Sequence, residues 1–169
     1  MPVVIRASDL RPQPWKNGGG VTREIAVEPP GASMDDFAWR VSTAEVGSEG
    51  PFSRFEGVDR VLVLLTGEGM DLVVGGAPPV RLVPGSEPFA FPGDAPVTAT
   101  LPGGPITDLN VMVRRGAWTA DVRRRRGQVD CAAGAVLVVG ADGDVTRLAP
   151  GEGVTLDDVA LAVALTPAG

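Results

Sequence analysis

The chain has 169 residues, close to the length of one ordinary domain, and carries 15 Lys and Arg against 21 Asp and Glu, a formal charge of −6 with no histidine. An acidic chain lacks the cationic surface that neutralises nucleic-acid phosphates, so no nucleic-acid partner is expected. Without His there is no imidazole triad, general base or metal ligand, and a lone Cys forms neither a thiolate cluster nor an intrachain disulfide.

Tyr is absent as well, so acid or base chemistry would fall to Asp, Glu, Lys or Cys131 with a shifted pKa. An enzyme is not favoured on those grounds. Hydrophobic residues make up 44%, enough for a real core. The start, MPVVIRASDL, has no secretory pattern and no stretch is long enough to span a bilayer, so a cytoplasmic protein without a membrane partner is expected.

Gly (23) and Pro (16) punctuate the whole sequence and leave no room for a long amphipathic helix. Short strands joined by turns follow, and the class is all-β. In chain order the first strand covers Val3 to Arg6. Next comes Pro14-Trp15-Lys16-Asn17-Gly18-Gly19-Gly20, leading into a strand over Val21 to Val27. Three successive glycines suit positive φ or a close backbone approach, and their amides could form an anion-binding nest flanked by Lys16 and Arg23. The Gly-Lys-Ser/Thr ending of a nucleotide-binding loop is missing, so a small carboxylate fits better than a nucleotide.

Ser33 to Phe37 is a weak helical candidate or a loop. On the strand Trp39 to Ala44, alternation puts Trp39, Val41 and Thr43 on one face and Arg40 and Ser42 on the other, one facing core and one facing a cavity. Phe52-Ser53-Arg54-Phe55 then offers aromatic walls beside polar groups. Arg60 opens the apolar strand running to Thr66, an awkward place for a cation unless it is paired or faces a ligand. Further strands cover Met70 to Val74, Val80 to Leu82 and Val97 to Leu101. On Asp108 to Arg114, Asp108, Asn110 and Met112 share one face, which suits either a cavity or a water-facing edge.

Arg123-Arg124-Arg125-Arg126 reads as a solvated linker. Cys131 lies in apolar surroundings and reads as a buried, inert thiol. Strands follow over Ala135 to Val139, Val145 to Leu148 and Val159 to Leu165, with Asp142-Gly143 suiting a two-residue type I′ hairpin turn. VLVLLTGEG from Val61 echoes VLVVGADGD from Val136, and VRLVPGSE from Val80 echoes TRLAPGEG from Thr146. Two related halves, each burying an apolar face against more sheet, are the reading. Edge strands could pair two chains into a homodimer.

PWKNGGGVTREI, WRVSTAEVGSEGPFSRFEGVDRVLVLLTGEG and FPGDAPVTATLPGGPITDLNVMVRRG, in this order, closely resemble the HutD/Ves family. The resemblance implies a bicupin: an N-terminal cupin-like barrel over residues 1–116 and C-terminal barrel strands over 117–169, with strand exchange between the halves. It implies a link to histidine utilisation, restrained through binding of an anionic metabolite of the urocanate or N-formylglutamate class. Cupins that hold metal use several His, and this chain has none, so neither metal nor cofactor is expected. The family-signature positions are Trp15, Lys16, Asn17, Gly18, Gly19, Gly20, Thr22, Arg23, Trp39, Arg40, Ser42, Phe52, Ser53, Phe55, Arg60, Asp94, Asp108 and Asn110. All but Trp39 and Asp94 are assigned to ligand binding. A metal-independent enzyme using Asp108 or Lys16, and a module for a protein partner, are the alternatives.

Overall fold

A computed structural model describes every residue, Met1–Gly169. The strands are β1 (Val3–Ile5), β2 (Pro12–Pro14), β3 (Gly20–Glu28), β4 (Trp39–Val46), β5 (Gly50–Pro51), β6 (Val58–Thr66), β7 (Met70–Val74) and β8 (Val80–Leu82). They continue as β9 (Phe89–Pro92), β10 (Val97–Thr100), β11 (Ile106–Arg114), β12 (Trp118–Asp130), β13 (Ala135–Val139), β14 (Val145–Leu148) and β15 (Gly153–Pro167). One short 3₁₀ turn, Ala7–Asp9, is the only helical element. No helix is long and apolar enough to cross a membrane.

The contacts divide the chain into two compact units, Arg11–Arg114 and a second made of Met1–Leu10 with Arg115–Gly169. The first holds a six-stranded antiparallel sheet, β2-β3-β4-β11-β6-β9, and a four-stranded sheet, β5-β10-β7-β8. Residues from both sheets form one apolar cluster that includes Leu62, Leu64, Met70, Leu72, Leu82, Phe91, Val97 and Ile106. Alternation decides who enters it: Leu62 and Leu64 on β6, and Ala44 and Val46 on β4, lie two residues apart and so point to the same side.

The second unit is one sheet, β1-β14-β13-β15-β12, and β1 brings Met1–Leu10 into it by pairing with β14. A cluster of Val129, Cys131, Val136, Val138, Leu148 and Ala162 forms its core. Burial pushes the Cys131 thiol pKa up.

Four expectations need correction. The four-Arg run is no linker, because Arg123 to Arg126 belong to β12, which pairs with β15 along nearly its whole length. Their side chains stay in water because β12 ends the sheet and its ladder is interrupted between Arg125 and Gly127, so a strand edge hosts charges that a sheet centre could not. The β13–β14 hairpin exists, but its loop closes Gly140 to Asp144 instead of two residues: Gly143 alone takes positive φ, and the Asp142 carboxylate accepts from the Asp144 amide. Ser33 to Phe37 is a turn, tied by the Ser33 amide and hydroxyl to Asp36, which removes the helical alternative. The two halves of the sequence echo also differ in use. β6 and β7 lie in different sheets, whereas β13 and β14 are direct neighbours.

Candidate functional site

Three transverse rows of the six-stranded sheet build the floor of a cavity of about 590 Å³ in the unit Arg11–Arg114. β11 is central, between β4 and β6, so the water-facing edge alternative for Asp108 and Asn110 falls away. One row runs Arg40, Met112, Arg60, Phe91, the next Ser42, Asn110, Leu62, Phe89, and the third Ala44, Asp108, Leu64. Arg40, Ser42, Arg60, Asp108 and Asn110 line the cavity together with Ala44 and Met112, while Leu62, Leu64 and Phe91 of the same rows belong to the apolar cluster.

Burial makes this floor chemically unusual. Asp108 is 1% exposed, Ser42 2%, Arg60 5% and Arg40 7%, and these four are the buried polar and charged residues of the chain. A buried charge needs compensation, and each is treated differently. Arg40 donates Nε–H to Glu24 Oε1 at 2.9 Å, which leaves its two terminal nitrogens for the cavity. Arg60 donates to Asn110 Oδ1 from Nη2 at 2.8 Å and Nε at 3.3 Å. Its guanidinium also lies over three aromatic rings, Phe52, Phe55 and Phe91, at 5.3, 5.5 and 5.1 Å from their centroids. Ring faces attract a cation most where water is excluded. Even so, burial lowers the Arg60 pKa to about 10.

Asp108 is the exception. Its Oδ1 is buried without a hydrogen-bond partner, and burial raises its pKa to about 7 against the opposing pull of Arg60. A half-neutral carboxyl within the field of a buried guanidinium at a cavity floor is a combination that stability alone does not select.

The cavity walls come from loops. Phe52, Ser53 and Phe55 form one wall, held in place by the Phe55 amide on Gly93 O, Arg54 on Asp94 O and the Gly57 amide on Asp94 Oδ2. Asp94 thus shapes the turn under this wall. Trp15, Lys16 and Asn17 form a second wall, where Trp15 Nε1–H donates to Thr22 Oγ1 at 2.7 Å.

The glycines serve this second wall from behind. Gly18 has φ +74°, which L side chains rarely adopt. At Gly20 a Cβ would come within 2.9 Å of the Trp15 ring and 2.6 Å of Glu45 O. The Gly18 amide donates to Trp15 O and the Gly19 amide to Asn17 Oδ1. These amides are taken within the loop, so an anion nest does not form there.

The structure therefore gathers all the proposed ligand residues around one cavity except Gly18, Gly19, Gly20 and Arg23. Arg23 alternates with Thr22 along β3, points away from the cavity and pairs with Glu45 at 3.0 Å. Sequence reasoning did not single out Gln13, Met34 or Pro51 as lining residues, Glu24 as the partner of Arg40, or Phe91 as the third ring on Arg60. For Phe91 the only signal is the β6–β9 register, which a single sequence does not disclose. No cluster of three or more Cys, Asp or Glu side chains is arranged to hold a metal ion.

Comparison with known proteins identifies the family and the fold. The HutD family model matches residues 7–168. An uncharacterised 21.2 kDa protein in the hutC 3′ region of Pseudomonas putida is 43% identical over 109 residues, covering 64% of this chain and 56% of that protein. Protein Ves of Citrobacter koseri is 43% identical over 119 residues, 68% of this chain and 61% of its own length. The matches thus span somewhat more than half the length of these curated relatives. The solved structure of HutD from Pseudomonas fluorescens SBW25, in a formate condition, superimposes with TM-score 0.89 at 32% identity over 100% of both chains. KdgF from Halomonas sp., 16% identical with TM-score 0.50 over 64% of this chain and 90% of that one, shares the fold alone. The architecture is all-β and cupin-like, and the chain belongs to the HutD family.

Proposed function

We propose that this HutD-family protein binds a small carboxylate metabolite in the cavity of the unit Arg11–Arg114, without a metal, and that binding modulates histidine utilisation. One observation carries the reading: a buried Arg40 whose only hydrogen-bonded nitrogen is Nε lines the same cavity as a buried Asp108 whose Oδ1 has no partner. A guanidinium binds a carboxylate through two parallel hydrogen bonds, and such bonds gain strength where water is excluded. Ser42 and Lys16 add a hydroxyl and a second cation, and Trp15, Phe52, Phe55 and Met112 supply apolar surface for the body of the ligand.

Urocanate and N-formylglutamate both meet this description, since each joins a carboxylate to a short body. The link to histidine utilisation draws on the family and on the hutC-region relative. The same reading takes the five-stranded unit as the second barrel of a bicupin, which is what the family resemblance implies. Calorimetric titration with both acids is the test. Saturable binding without turnover, abolished in Arg40→Ala and weakened in Lys16→Ala, is expected; unchanged binding in a folded Arg40→Ala variant contradicts the site assignment.

A further inference from the structure

The orphaned Asp108 oxygen is unexplained by the bound anion alone. Two ionised carboxylates side by side repel each other, so a ligand carboxylate that reaches the Asp108 end of the cavity floor leaves Asp108 two options. It can stay ionised and accept from a ligand N–H, or it can take a proton and donate to the ligand carboxylate.

We infer that Asp108 enters the complex as a carboxylic acid whose O–H donates to the ligand carboxylate, so that each binding event takes up a proton from solvent. This rests on the carboxylate reading given above. The surroundings favour it. Asp108 is 1% exposed with Oδ1 unpartnered at the cavity floor. Leu64 on β6 and Ala44 on β4 flank it in register, so neither residue directly opposite it has a side-chain donor to offer the ionised form.

The charged groups facing this part of the cavity are Arg60 on β6, Arg40 on β4 with its partner Glu24 on β3, and Lys16 in the loop after β2. Arg60 is the one that pulls the Asp108 pKa down, and its guanidinium is held on Asn110 and three phenyl rings, with no hydrogen bond to Asp108. Burial prevails and brings the carboxyl to about 7 before any ligand arrives. A second negative charge moves it further toward the neutral form. The resulting acid–carboxylate hydrogen bond is of the strong, charge-assisted kind. An anion gains most from this arrangement, because a neutral amide or alcohol in the same place forms only an ordinary hydrogen bond with the acid and adds no charge to raise its pKa further.

The experiment titrates the intact chain with N-formylglutamate and with urocanate at several pH values from neutral to about two units above, in phosphate and in Tris. These buffers differ in ionisation heat, so the difference between them counts protons. The predicted result is uptake approaching one proton per site above pH 7, with affinity falling about tenfold per pH unit there, as linkage to a single group requires. Asp108→Asn, whose amide N–H replaces the acid O–H, is predicted to bind near neutral pH and to lose both the proton uptake and the pH dependence. Affinity that is flat or rises with pH, or a folded Asp108→Asn variant that no longer binds, overturns the inference while leaving the carboxylate reading in place. Failure of the wild-type chain to bind either acid at any pH overturns both.

Discussion

Arg60 and Asn110 sit on neighbouring central strands, and the amide oxygen of Asn110 takes two N–H groups of the Arg60 guanidinium, at 2.8 and 3.3 Å. This contact decides where the guanidinium rests, and its position in turn organises Phe52 and Phe55, the aromatic wall of the cavity. Asn110→Ala leaves a buried guanidinium without its acceptor. The expected cost is about 1–3 kcal/mol of stability, read as a lower denaturation midpoint, together with weaker ligand binding from a loosened wall.

Asp108 makes stability depend on pH in a definite direction. Its folded pKa, about 7, lies above the ordinary value of 3.8. Between those values the folded state holds a proton that the unfolded chain has released, so stability falls as pH rises from about 4 to about 7 and then levels off. Asp108→Asn is expected to flatten this part of the ligand-free stability profile. An unchanged profile in the variant would show that Asp108 titrates normally.

The glycine run makes graded predictions. Gly20→Ala drives a methyl against Glu45 O and the Trp15 ring, while at Gly19 the obstacle is the rotatable Ser48 hydroxyl. Gly20→Ala should therefore displace Trp15 and cost about 1–3 kcal/mol, the range for overpacking. Gly19→Ala should cost less. At Gly18 there is open space but φ is +74°, so Gly18→Ala should cost about 1 kcal/mol in stability and disturb Trp15 least. Tryptophan emission alongside thermal unfolding separates the three.

Much of the site was legible because strand alternation is rigid. Once Arg40 and Ser42 are placed on one face of β4, and Asp108 and Asn110 on one face of β11, the residues between them have no choice of side. The same rule removes Arg23 from the site, one residue away from the lining Thr22. The sequence pattern around the glycines was read for its amides when its chemistry lies in what it lets Trp15 do, and single-sequence reasoning has no view of an approach between Gly20 and an indole ring. β12 is hard to see in the sequence because four successive arginines separate its buried Val122 and Val129, which lie on opposite faces of the sheet. Glu24 and Phe91 gained their parts only through register, a long-range property.

Arg40, and not Arg23 beside the glycine run, anchors the anion. Calorimetric titration of urocanate and N-formylglutamate into the wild-type chain, Arg40→Ala and Arg23→Ala tests it most directly. Saturable binding to the wild type is expected, with the same affinity in Arg23→Ala and a loss of at least about tenfold in Arg40→Ala, as a missing charge-assisted hydrogen bond requires. Equal losses in the two variants, or a loss in Arg23→Ala alone, would contradict it.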